Sequence, residues 1–106
     1  MVAAEKYYRD LLSRDPACHK ASENLGTMMM AQKRWDEARD LFLQALQQPS
    51  PASFHHLNLG YVYLKGFGNR QLAAAQFRIF LALRPEKASL VPTEFLAFLN
   101  NGEGRQ

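Results

Sequence analysis

The triplet Asn-Leu-Gly occurs twice in this chain of 106 residues, at Asn24-Leu25-Gly26 and Asn58-Leu59-Gly60, 34 residues apart. Both copies lie in stretches that otherwise read as helix, "SENLGTMMM" and "HLNLGYVYL". A glycine inside a helix costs about 1 kcal/mol relative to alanine, so it marks a place where close packing leaves no room for a side chain. At a shift of 34, Ala4 and Tyr8 also fall on Ala38 and Phe42, and Leu11 and Leu12 fall on Ala45 and Leu46. One further residue of shift puts Ala38 and Phe42 onto Ala73 and Phe77. The extra residue fits within "KGFGNRQ", Lys65 to Gln71, where glycines mark a turn. A period of this length is produced by helical hairpins that stack and bury their apolar faces on one another.

Local signals agree with an all-α chain. No segment alternates with the period of two expected of a half-buried strand. In "WDEARDLFLQALQQ", Trp35, Ala38, Leu41, Phe42, Ala45 and Leu46 form one apolar stripe at helical spacing. Ser50-Pro51 is a helix start, with serine as cap and proline in the first turn. Asp15-Pro16 and Arg84-Pro85 are stops, and Asn100-Asn101-Gly102 is expected to end the last helix ahead of a flexible tail over 100–106. Six helices are predicted, near 2–14, 19–32, 35–47, 52–65, 70–83 and 89–99.

With Leu25-Gly26, Met29, Ala38 and Phe42 in one copy, and Leu59-Gly60, Tyr63, Ala73, Phe77 and Pro85 in the next, the chain resembles the tetratricopeptide repeat family. The turn Gly66-Phe67-Gly68 also resembles that of Sel1-like repeats. The resemblance implies a right-handed superhelical stack of antiparallel hairpins in a single domain over 1–99. Residues 2–16 would be a half repeat, 19–52 and 53–86 full repeats, and 89–99 a capping helix. Leu25, Gly26, Ala38, Phe42, Leu59, Gly60, Tyr63, Ala73, Phe77 and Pro85 are then the structural positions, with the glycines where the two helices of a hairpin cross. The chain departs from the family pattern at Ser22 and His56, where a large apolar residue is usual, and at Phe80, where a small one is. The last helix must leave room for Phe80.

The resemblance further implies that the first helix of each hairpin lines a concave face that binds a peptide or a partner's helix. Helical projection from the Leu-Gly pairs puts Asn24, Thr27 and Met30 on that face, then Phe54, Leu57, Asn58, Tyr61 and Lys65. The two asparagines stand where the family often grips a ligand's backbone; the alternative is a hydrogen bond between repeats. Of Met28-Met29-Met30, Met29 is expected in the core and Met30 towards the groove. The cationic clamp with which some members hold a C-terminal carboxylate is missing, since Glu23, Thr27, Leu57, Tyr61 and Pro92 occupy its places. An apolar or amphipathic segment suits what remains.

Composition narrows the alternatives. Apolar content of 47% and charged content of 22% are those of an ordinary globular domain. No apolar run approaches the roughly 20 residues of a membrane helix. The opening "MVAAEKYYRDLL" has charges where a secretion signal needs an apolar core, so a cytoplasmic location is expected if the chain is complete. The net charge of +3 lies wholly in the second half: residues 1–50 carry seven basic and seven acidic groups, residues 51–106 six and three. Those cations are scattered and not interleaved with aromatics, so nucleic acid is not the expected partner. Cys18 is the single cysteine, which excludes an internal disulfide. Adjacent helical residues such as His55 and His56 point about 100° apart and do not converge on a metal, and His19 with Cys18 completes no ligand spacing. No catalytic constellation and no cofactor motif is present, so an enzyme is not expected. The expectation is a protein-interaction module, an adaptor, scaffold or assembly chaperone. The second reading is a fragment of a longer array, or a domain that self-associates through the first helix, where Tyr7, Tyr8, Leu11 and Leu12 contribute an apolar stripe.

Overall fold

A computed structural model describes residues 2–48 and 53–100. Its elements are α1 (Val2–Arg14), α2 (His19–Ala31), α3 (Trp35–Ala45), α4 (Ser53–Tyr61), a π turn (Val62–Gly66), α5 (Arg70–Leu83), a 3-10 segment (Pro85–Leu90) and α6 (Thr93–Asn100). There is no strand among the described residues. The expected start at Ser50-Pro51 and the expected end at Asn101-Gly102 lie outside the described residues.

Helices α2 and α3 form one antiparallel hairpin, α4 and α5 the next; α1 packs on α2, and α3 on α4. Each glycine of the repeated triplet faces an aromatic ring. A Cβ at Gly26 would stand 2.1 Å from the Phe42 ring, and one at Gly60 would stand 2.3 Å from that of Phe77. The two helices of each hairpin therefore approach through a ring seated on a bare backbone. Leu25, Met29, Ala38, Phe42, Leu59, Val62, Tyr63, Ala73, Phe77 and Phe80 are buried in one continuous core. Met28 and Met30 are both half-buried against it. Ser22 is buried, whereas His56 is half-buried with its Nδ1 2.7 Å from Gln76 Oε1.

The two turns inside the hairpins also correspond. Lys33 (φ 59°) and Gly68 (φ 62°) adopt the left-handed conformation, and they occupy equivalent positions, 35 residues apart. Lysine is strained there and glycine is not. The next residue starts the second helix in both hairpins. Asn69 caps α5, its Oδ1 accepting from Leu72 N at 3.0 Å, whereas Arg34 offers α3 no side-chain cap. The extra residue of the second repeat goes into the wide π turn after Tyr61, where each turn takes up one residue more than in an α-helix. Gly66 closes that turn against the Trp35 ring, 2.5 Å from where a Cβ would stand.

The last part differs from expectation in its start. The helix predicted over 89–99 begins at Thr93, because Pro85 and the non-helical Lys87 divert the chain into the 3-10 segment first. Pro85 itself is exposed. Val91 and Phe95 anchor the end of the stack, with Phe95 edge-on to Phe77 at 5.1 Å. The room that Phe80 needs is found against Phe54, with ring centroids 5.5 Å apart.

Candidate functional site

Of the eight residues that helical projection assigns to one face, three lie on α2, four on α4 and Lys65 in the π turn that follows, and they divide into occupied and open. Asn24 is occupied: its Nδ2 donates to the Tyr8 hydroxyl of α1 at 3.3 Å, which ties the half repeat to the first full one. Leu57 is occupied as well, only 7% exposed and part of the core, so it does not serve as a surface anchor. Thr27 is exposed, and its hydroxyl donates to its own helix at Glu23 O, 2.8 Å. Tyr61 is half-buried with its ring edge-on to Phe77 (5.3 Å) and its hydroxyl donating to the carbonyl of Leu90. Burial pushes that phenol's pKa up.

Four positions present usable surface. Met30 and Phe54 are half-buried, and the Arg84 guanidinium lies 5.5 Å from the Phe54 ring centroid. Lys65 is exposed, its ammonium 5.6 Å from the Tyr61 ring centroid. Asn58 is half-buried and makes no hydrogen bond among the described residues. The reason is in the repeat: Tyr8 corresponds to Phe42 at a shift of 34, just as Asn24 corresponds to Asn58. The second repeat lacks the hydroxyl that the first uses, which leaves the Asn58 amide without that partner.

A second feature of this region was not legible beforehand. His19 Nδ1 and His55 Nε2 meet at 3.2 Å between α2 and α4, and the His55 ring also packs on Phe42. His19 and His55 are not equivalent positions of the repeat, and only the stacking of the hairpins joins them. Whichever ring donates, one outer nitrogen, His19 Nε2 or His55 Nδ1, remains a buried N–H without a partner. Burial, with His19 and His56 nearby, lowers the His55 pKa to about 4, so His55 is neutral at pH 7. Among the described residues no three His, Cys, Asp or Glu side chains gather as a metal site.

Elsewhere charge is paired on the surface. Arg34 and Arg9 bridge Glu5 and Glu37 across α1 and α3, at 2.7–3.1 Å. Their hydrogen bonds hold both carboxylates below the usual range. Arg70 reaches Glu94 (3.4 Å) and the Phe95 ring, and Arg84 reaches Glu86 (2.6 Å). No helix is long and apolar enough to cross a membrane among the described residues.

A stack of helical hairpins with a shared register, each glycine matched to a ring, defines a helical-repeat protein. Residues 3–53 match the tetratricopeptide repeat, and over them the chain belongs to that family; the second hairpin repeats the same register. A comparison with curated proteins gives no match. Tetratricopeptide repeats are protein–protein interaction modules, typically without catalysis of their own, and protein is the class of partner this fold serves.

Proposed function

We propose that the chain binds an apolar or amphipathic segment of a partner protein on the face formed by α2 and α4. The reading rests on Asn58. Its amide offers one acceptor and two donors, unused among the described residues, to a ligand backbone, next to the apolar surface of Phe54 and the Tyr61 ring. Lys65 and Thr27 extend the contact on either side, and Met30 adds an adaptable apolar edge. Asn24 acts as a tether between repeats instead, and Leu57 supports the floor from within. An adaptor, scaffold or assembly chaperone would use such a face to hold one extended or helical segment.

Selection of peptides from a random display library tests this. Peptides recovered on the wild-type protein are expected to carry apolar anchors and to bind Asn58→Ala roughly five- to tenfold more weakly, the worth of one or two hydrogen bonds. Circular dichroism of the variant should be unchanged. Peptides that bind Asn58→Ala and Lys65→Ala as tightly as wild type would place the site elsewhere.

A further inference from the structure

We propose that the contact between His19 and His55 is an acid-sensitive latch, and that its protonation parts the two hairpins at one end while the other end holds as a hinge. This does not depend on any ligand of the α2–α4 face. The two ends of the junction are built from different chemistry. His19 is the first residue of α2 and His55 the third of α4, so the pair sits at the start of both helices. About 18 Å away, the length of the 13-residue α2, lie the two hairpin turns. There Trp35 packs on Gly66, and the Arg39 guanidinium lies 5.2 Å from the Phe67 ring centroid. Those groups do not change charge between pH 5 and 7, whereas the ordinary range of an imidazole lies inside that window.

His55 is 1% exposed. Its Nε2 and His19 Nδ1, 3.2 Å apart, share one hydrogen, and the outer nitrogens, His55 Nδ1 and His19 Nε2, have no partner among the described residues. A proton added to His55 therefore has two places to go. On Nδ1 it makes a buried N–H with no acceptor. On Nε2 it sets two N–H groups against each other, and the hydrogen bond is lost. Either way a positive charge is buried without a counter-ion. Parting the rings lets water reach them and removes both penalties.

The surroundings offer that charge no relief. From α2 the group that faces His55 is His19, from α3 it is the uncharged Phe42, and on α4 itself it is His56, whose Nδ1 is turned to Gln76 of α5. Arg84, just after α5, lies over Phe54 and pairs with Glu86, and Lys65 of the π turn lies at the hinge end over Tyr61. No carboxylate pairs with any of the three imidazoles among the described residues. Residues 49–52, Pro-Ser-Pro-Ala, join the hairpins and hold no titratable side chain. Burial first, then the charges of His19 and His56, lowers the His55 pKa to about 4. In water it returns to 6.5, so the parted form takes up a proton as pH falls between these values, and the closed form is favoured above them. The latch is particular to this junction: at a shift of 34, His55 falls on Ala21 and His19 on Ser53.

Amide hydrogen exchange of the full chain tests the proposal, followed by NMR at pH 7 and pH 5 and corrected for the intrinsic chemical rate. Short helices do not keep their hydrogen bonds once unpacked, so parting should expose the amides of Ser22 and Leu59, each about one turn from the pair. Their protection is expected to fall by about twentyfold from pH 7 to pH 5, the ratio that values of 4 and 6.5 give. Low urea should hardly change this exchange, because parting exposes little surface, whereas Ala73 and Phe77 should follow the full urea slope of global unfolding. Emission of Trp35, the single tryptophan, should be the same at both pH values. His55→Gln keeps a hydrogen-bonding partner for His19 without titrating, and His55→Phe fills the site with an apolar ring. In either variant the pH effect at Ser22 and Leu59 should vanish, with the circular dichroism unchanged. Protection that stays the same at pH 5 would overturn the proposal, as would either variant responding like wild type. So would exchange at Ser22 and Leu59 that follows the urea slope of Phe77, because acid would then unfold the chain as a whole.

Discussion

The two junctions between successive repeats are built on one plan and finished differently. Where α1 meets α2 and α3, a tyrosine hydroxyl takes the Asn24 amide and four charged side chains, Glu5, Arg9, Arg34 and Glu37, bridge the outer seam. Where α3 meets α4 and α5, the corresponding residues are Phe42, Asn58, Arg39, Leu43, Asn69 and Leu72, and neither the hydrogen bond nor the bridge across the seam is made. The interiors of the hairpins, by contrast, are the same: glycine against a phenylalanine ring, alanine beside it, both fully enclosed. Packing constrains the interior because a shift of a few tenths of an ångström is felt throughout. A junction's exposed edge is free to trade self-satisfaction for surface that another molecule can use. On this comparison the first junction is a finished one, and the second is open on both faces.

The largest expected effect tests the shared interior. Gly60→Leu should destabilise by about 3 kcal/mol, and Gly26→Leu by a similar amount, because each forces a side chain into an aromatic ring. Thermal unfolding followed by circular dichroism measures it; an unchanged melting temperature for either would show that the glycine–ring contact does not exist. The next effect is pH-dependent. His55 is held at about 4 when folded against 6.5 as its ordinary value, so the unfolded chain binds more protons in between. Its contribution is complete above about pH 6.5 and is lost as pH falls towards 4, by on the order of 2 kcal/mol between pH 7 and 5. Denaturant titrations at the two pH values report it, and His55→Leu should flatten that part of the profile.

Smaller effects separate the junctions. Tyr8→Phe should cost about 1 kcal/mol through the lost Asn24 bond. Asn58→Ala should leave the denaturation midpoint where it is, and equal costs for the two would erase the difference drawn here. Lys33→Gly should gain about 1 kcal/mol by relieving the left-handed lysine, bringing the first turn to the state of the second. Smallest of all, Glu37→Leu should lower the melting temperature slightly in dilute buffer, and about 1 M salt should remove the difference, because these ion pairs stand in solvent.

Much of this was legible in the chain. The spacing of Asn-Leu-Gly and the alignment of Ala38 and Phe42 with Ala73 and Phe77 specify helices, hairpins and their register, because a helix carries one apolar face at a fixed angular period. The glycines state their own reason, since only a close approach justifies them. Other features depend on residues far apart in sequence. Leu57 satisfies the helical projection for a groove residue, yet the floor of the stack closes over it, and Asn24 finds a partner that only the docking of α1 brings near. His19 and His55 meet across two hairpins at positions the repeat does not relate. The start of α6 at Thr93 follows from how the 3-10 segment sets Val91 and Phe95 against the end of the core. Periodicity determines what each helix buries and where each hairpin turns. Which side chains meet at a junction, and which are left free there, is decided by how the hairpins stack, because that contact geometry involves two faces at once and no single segment contains both.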